Sequence, residues 1–292
     1  MKSKKTIYWL GFWCVIGLSA FFYYVGPENI EIYFDDSEPK LEVHVFDVGQ
    51  GDAIFIETPE KFQILIDGGP DKSVLYELGD VMGFWDRTID TVVLTHPHAD
   101  HVSGLVEVLR RYRVNKIYMT GVLHTSNDYI TFLNLIDEKN IDVQIVSEPF
   151  VLDLDNEIDF EFLYPLKSFS GLRVESLNNT SIVNRIVWGD SEMILTGDLE
   201  EEGEEELLHS GQDIIADILK AGHHGSATSS MDEFVEAVNP ETAVISVGDG
   251  NSFGHPSGRT LKKFERFDID VLRTDKKGVI SLVSDSINWQ ID

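Results

Sequence analysis

The chain has 292 residues, enough for a substantial core, and its 42% hydrophobic content excludes wholesale disorder. Against 23 basic residues stand 51 acidic ones, and the formal charge of −28 argues against sequence-independent nucleic-acid binding. The one cysteine, Cys14, excludes an intramolecular disulfide framework and a cysteine-based zinc site.

Residues 6–25, "TIYWLGFWCVIGLSAFFYYV", carry no charge for 20 positions. A helix of that length spans about 30 Å, one bilayer core. Lys2, Lys4 and Lys5 precede it, and Glu28, Glu31, Asp35, Asp36 and Glu38 follow it. The positive-inside rule therefore predicts an N-terminal signal-anchor transmembrane helix over 1–25, with the rest of the chain extracytoplasmic. No Ala-x-Ala cleavage site follows the apolar run. Residues 26–40 read as an acidic tether, and 41–292 as the folded domain.

In that domain, "LEVHVFDVG", "AIFIETP" and "FQILIDGG" read as short strands bounded by Gly and Pro. "TVVLT" is a buried strand running into a His-rich loop, and "VSGLVEVLRRYR" has helical spacing of apolar residues. "NKIYMTG", a helix near 126–139 and "IDVQIV" follow, then the strands "IDFEFLYP", "SIVNRIVWG" and "EMILTGD". The Glu run at 200–206 reads as a solvated helix face. "DIIADILKAG" leads to a second His-rich loop, and "DEFVEAVNP", "TAVISVG", "RTLKKFERF", "DVLRT" and "GVISLVS" finish the chain. Strands at both ends with helices between them predict two mixed sheets packed together, helices outside.

The chemistry concentrates in "THPHADHVSG", residues 95–104. A strand ending at Thr95 presents alternate side chains on one face, so His96 and His98 can reach one metal ion together. Asp100 and His101 follow where the chain turns into a helix, and can reach a second ion. Imidazole with carboxylate suits zinc, manganese or iron. "LIDGG", "LTGD", "ILKAGHHGS" and "FGHPS" add Asp67, Asp198, His223 with His224, and His255. A carboxylate or imidazole just past a buried strand is costly without a partner, so these placements point to one cavity where strand ends converge.

H-x-H-x-D-H after a strand, with "LIDGG" before it and "TGD" and a late His after it, resembles the metallo-β-lactamase fold superfamily. "FDVGQGDAIFI", "LTHPHADHVSG", "ILKAGHHGSATS", "FGHPS" and "RTDKKGVI" look most like the hydrolase domain of ComEC-type competence proteins, and phosphorylcholine esterases are similar. The resemblance implies an αββα sandwich with two divalent ions at one edge, zinc first and manganese as the alternative. By it, His96 and His98 would bind the first ion, Asp100, His101 and His223 the second, and Asp198 would bridge them. Asp67 would orient a ligand imidazole from behind. Asp100, His224 and His255 are the candidates for direct chemistry, His224 and His255 by contacting substrate or protonating a leaving group. His224 could also replace His223 as the ligand, since both sit in one loop.

Two features depart from the family pattern. A further histidine is usual before the "TGD" strand; here the segment reads "LNNTSIVNRI", with Asn179, Thr180 and Ser181 as the nearest polar candidates. ComEC-type proteins also carry a multi-helix membrane channel, whereas this chain has one candidate span. The implied reaction is hydrolysis of a phosphodiester or related phosphorus ester, on a small or polymeric substrate, by hydroxide held between two ions. Lactam-type C–N or thioester hydrolysis is the alternative chemistry. A surface-anchored metal-binding adaptor without catalysis is the non-enzymatic alternative, supported by the missing histidine.

Overall fold

Four consecutive residues, Gln63–Ile66, are buried, and their apolar side chains alternate between two cores. Ile64 and Ile66 join one hydrophobic cluster and Leu65 another. A strand buried on both faces needs a layer on each side, which specifies the architecture. The computed structural model describes residues 39–154 and 157–291. The signal-anchor expected over 1–25 and nearly all of the acidic tether lie outside the described residues. Among the described residues, no helix is long and apolar enough to cross a membrane.

The strands are β1 (Leu41–Val45), β2 (Ile54–Glu57), β3 (Gln63–Ile66), β4 (Thr88–Leu94), β5 (Arg113–Met119), β6 (Asp142–Ile145), β7 (Phe150–Leu154) and β8 (Ile158–Tyr164). Then come β9 (Val183–Trp188), β10 (Ser191–Leu195), β11 (Ile218–Lys220), β12 (Thr242–Ile245), β13 (Asp270–Arg273), β14 (Ile280–Ser284) and β15 (Trp289–Ile291). They form an eight-stranded sheet, β15-β14-β1-β2-β3-β4-β5-β6, and a seven-stranded sheet, β13-β12-β11-β10-β9-β8-β7. Val43, Ile56, Ile64 and Val93 of the first sheet pack against Phe160, Phe162, Met193 and Val244 of the second.

Helices cover both outer faces. On the first sheet lie α1 (Val74–Val81), α2 (Ala99–Arg111) and α3 (Asn127–Lys139), packed through Leu78, Leu105 and Phe132 onto Leu65 and Val92. On the second lie α4 (Glu201–Leu208), α5 (Asp232–Val238) and α6 (Gly258–Arg266), packed through Leu207, Phe234 and Phe264 around Ile194 and Leu219. A single turn, α7 (Thr274–Lys277), precedes β14. The result is an αββα sandwich. The sequence pattern does not announce α1, β7 or β15. The helix is eight residues long, and the strands are outer ones with exposed alternate residues.

The Glu run corrects one expectation. Glu201, Glu202 and Glu205 are exposed, but Glu204 is 0% exposed. Its carboxylate accepts the backbone N–H groups of Ser230 at 2.6 Å and Met231 at 2.8 Å, at the start of α5. Burial pushes its pKa up to about 7 despite those bonds. The helix therefore docks through an acid, because α5 needs acceptors for its unsatisfied N–H groups.

One close approach positions the chemistry. Gly68 N–H donates to the His101 carbonyl at 2.8 Å, and Gly104 N–H donates to the Gly69 carbonyl at 3.0 Å. A Cβ at Gly104 would lie 1.7 Å from the Gly68 oxygen, so only glycine lets α2 lie this close to the loop after β3. Gly104→Ala is expected to cost about 2 kcal/mol in thermal unfolding by overpacking. It should also lower bound metal, because the contact sets Asp67 beside His101.

Candidate metal centre

The site is assembled from the carboxyl ends of parallel strands in both sheets. Asp67 follows β3 and His96 follows β4, which pair in parallel; Asp198 follows β10 and His224 follows β11, also a parallel pair. The chain leaves each strand abruptly there. Asp67, His223 and His224 have φ of 57°, 47° and 54°, left-handed values that non-glycine residues avoid. Such strain marks sites where the surroundings dictate the side-chain direction.

Three imidazoles point Nε2 inward because Nδ1 is held from behind. His101 Nδ1 donates to Asp67 Oδ2 at 2.7 Å, and His224 Nδ1 donates to the Ser246 carbonyl at 3.0 Å. His96 Nδ1 faces Thr95 Oγ1 at 3.1 Å and Ser181 Oγ at 3.3 Å. Thr95 in turn donates its N–H to Asp67 Oδ1 at 2.8 Å and its hydroxyl to Asp67 Oδ2 at 2.7 Å. Anchoring Nδ1 in this way leaves Nε2 as the ligand atom.

Asp198 Oδ2 is the hub. It lies 3.9 Å from His96 Nε2, 3.2 Å from His101 Nε2 and 3.5 Å from His224 Nε2. His98 Nδ1 is 2.9 Å from His96 Nε2, and Asp100 Oδ2 is 3.4 Å from His224 Nε2. The ligand atoms of Asp100, His101, Asp198 and His224 all lie within 4.8 Å of one another. Yet His101 Nε2, His224 Nε2 and Asp198 Oδ1 are buried without a hydrogen bond. Orphaned atoms of this kind are costly, and a divalent cation would satisfy all of them, so the residues fit a bound metal ion.

The expected residues divide. His96, His98, Asp100, His101 and Asp198 converge, with Asp67 behind His101. Of the two adjacent histidines, the structure groups His224. His223 instead turns Nδ1 toward Glu200 Oε1 at 3.2 Å and Asn178 Nδ2 at 3.3 Å, with its ring 5.4 Å from His255. Consecutive left-handed residues send the two side chains different ways. Ser181 Oγ accepts the Asp198 N–H at 3.1 Å and so braces two of the converging residues. Asn179 sits apart, its Oδ1 accepting the Glu200 N–H at 3.1 Å where α4 begins. Thr180 bonds the Leu177 carbonyl at 2.7 Å.

Two residues that sequence reasoning passed over complete the site. Lys220 Nζ, 0% exposed, is ion-paired with buried Asp52 and donates to the Gly197 carbonyl at 3.1 Å. Asp52 Oδ1 stands 3.3 Å from His224 Nδ1. A lysine inside "DIIADILKAG" is the one signal that could have revealed the pair, because an unpartnered ammonium cannot stay buried there.

The electrostatics follow. Burial would lower the His224 pKa, but Asp198 and Asp52 outweigh it and push it up to about 9. Burial likewise opposes the His101 proton, and Asp198 and Asp67 overcome it and hold that pKa well above the usual value. His96 goes the other way, lowered by burial and by His101. Burial would raise Asp52, but Lys220 and His224 bring it down to about 2.

A cation therefore displaces protons. Below pH 9 it must remove one from His224, and it must displace the His101 proton as well. Affinity is therefore expected to rise with pH, by up to about tenfold per unit for each proton released, with the His224 contribution levelling off above pH 9. Calorimetry in buffers of different ionisation enthalpy checks this. By the same linkage, the His224 proton stabilises the metal-free fold fully below pH 6.5, an effect lost as pH rises through 9.

The chain is 32% identical over 256 residues to ComE operon protein 3 of Bacillus subtilis, covering 82% of this chain and 32% of that protein. It is 29% identical over 269 residues to competence protein ComA of Neisseria gonorrhoeae, covering 92% of this chain and 35% of that one. It thus spans about a third of the length of these curated relatives. The metallo-beta-lactamase fold protein YhfI of Bacillus subtilis superposes with a TM-score of 0.53 at 13% identity, over 84% of this chain and 100% of that one, which speaks for the fold alone. The Metallo-beta-lactamase superfamily model matches residues 46–249, and the chain belongs to that superfamily.

Proposed function

We propose that this chain is a metal-dependent hydrolase of phosphodiesters or related phosphorus esters. The observation that carries the reading is the convergence of Asp100, His101, Asp198 and His224, with His96 and His98 beside them, and with buried atoms of His101, His224 and Asp198 left without a hydrogen bond. His96 and His98 would hold one divalent ion, zinc or manganese, and Asp100, His101 and His224 the second, with Asp198 shared. When bound, such a pair lowers the pKa of water and neutralises charge on the substrate oxygens.

The chain's own residues do the rest. Asp67, Ser246 and Ser181 keep the imidazoles aimed inward, so no reorganisation is needed on substrate binding. His255 and His223, 5.4 Å apart, stand beside the cluster and supply N–H donors to a phosphoryl oxygen or a proton to the departing alkoxide. Water is the nucleophile in this reading, because the converging side chains are imidazoles and carboxylates. Likeness to ComA, a competence protein, favours a phosphodiester over a lactam. We also retain the N-terminal segment as a membrane anchor, with the sandwich outside the cytoplasm.

The test is a parallel assay of the metal-replete full chain on bis(4-nitrophenyl) phosphate and a chromogenic cephalosporin. Ion-dependent release from the phosphodiester alone is expected. Turnover of the cephalosporin alone would move the assignment to C–N hydrolysis. No turnover of either, with less than one ion bound per chain, would leave a non-catalytic module.

A further inference from the structure

At the other end of α2 from the metal centre lies an open cleft with a volume of about 880 Å³. Arg87, Arg110, Arg111, Arg113 and Lys139 supply half of its lining, and no acidic side chain lines it. In a chain of formal charge −28 that concentration is anomalous. All five side chains are exposed. Glu107 engages Arg110 and Arg111, and the Arg87 guanidinium lies 5.6 Å over the Tyr112 ring. Arg113 and Lys139 have no side-chain partner among the described residues. Complementing a helix C-terminus accounts for Arg110, Arg111 and Lys139, in the last turns of α2 and α3. It does not account for Arg87 and Arg113, which sit at strand starts.

Two further observations say what the cleft meets. Phe84 and Trp85, just before Arg87, are 73% and 89% exposed with ring centroids 4.7 Å apart. An exposed aromatic pair beside a cationic patch matches the water–lipid boundary, where amphipathic rings sit among headgroups and cations meet phosphates. The cleft also shares a sheet edge with the chain's entry. Glu42 opposite Glu57, Glu57 opposite Gln63, Ile64 opposite Thr91 and Thr91 opposite Lys116 put the start of β1 level with the starts of β4 and β5. Pro39, the first described residue, therefore lies at this edge. The metal centre lies at the opposite end of α2, 13 residues and so about 20 Å away.

We propose that this face docks on an anionic phospholipid surface, with the guanidinium and ammonium groups on lipid phosphates and Phe84 and Trp85 among the headgroups. The docking rests on the membrane location proposed above, not on the catalytic reading. It holds the catalytic edge away from the lipid. A nucleic-acid strand is a poorer occupant, because the rest of the acidic surface repels it and the centre is a helix length away.

The probe is Trp85 emission, taken as the difference between the full chain and its Trp85→Phe variant. The full chain is reconstituted in vesicles of phosphatidylcholine alone or of equal parts phosphatidylcholine and phosphatidylglycerol, each with brominated acyl chains. A blue shift and quenching only in the anionic vesicles, lost in high salt and in Arg113→Glu/Lys139→Glu, is the expected result. Equal signals in both vesicles, or a signal that survives the charge reversal, overturn the proposal. A Trp85 response to a single-stranded oligonucleotide but not to anionic vesicles overturns it in favour of nucleic acid. Retention on vesicles in high salt reads the N-terminal segment separately, and phosphodiester turnover reads the metal centre.

Discussion

Asp198→Ala is expected to abolish hydrolysis, by at least about 10³-fold in kcat, and to cut bound metal from about two ions per chain to below one. Among the described residues, no other side chain stands so close to so many of the converging atoms. One of its oxygens faces His96, His101 and His224, and the other is buried without a hydrogen bond. Its removal takes away the largest influence holding up the pKa values of His101 and His224, so both imidazoles lose the counter-charge they share. Asp198→Asn keeps the shape without the charge and should still fold, which separates lost coordination from a collapsed pocket. Elemental analysis and phosphodiester turnover on both variants check the prediction. Full activity with a normal metal content in either would remove Asp198 from the centre.

Lys220→Met is expected to be among the most damaging substitutions away from the direct ligands, costing about 3–5 kcal/mol of stability. The reason is the carboxylate left behind. Asp52 is fully buried, and Lys220 is the strongest influence holding its pKa down to about 2. Without the ammonium, Asp52 must take up a proton or stay charged in a buried site with His224 as its nearest remaining counter-charge, and either is costly. The double variant Asp52→Asn/Lys220→Met should recover most of the loss, because a buried pair exchanged for neutral groups is near neutral in energy while half a pair is not. Thermal unfolding of the three proteins, metal-free, gives the comparison. If the double variant melts as low as Lys220→Met, the pair is not what stabilises this region.

Most of the architecture was legible because buried strands are written locally. β3, β4, β10 and β12 each end in three buried apolar residues, 64–66, 92–94, 193–195 and 243–245, followed by a polar one, and such a run requires cover on both faces. The donors were legible for the same reason. A period of two puts His96 and His98 on one side of an extended segment, and an imidazole or carboxylate at the end of a buried strand has few inexpensive alternatives. The Glu run misled, since exposure is a tertiary property. Six glutamates within seven residues include a Glu204 that is wholly buried because α5 happens to begin beside it.

Chain order alone thus determined the two-sheet sandwich, the strand-end positions of the donors and their suitability for divalent cations, since each follows from short-range periodicity and residue chemistry. Tertiary structure alone decided that His224 and not His223 enters the cluster, because two successive left-handed residues rotate the side chains apart. It alone joined Asp52 to Lys220 across 168 positions, and it gathered arginines from a helix end and two strand starts into one cleft. Those outcomes depend on which distant segments the packed sheets bring within a few ångströms, a quantity no local pattern encodes.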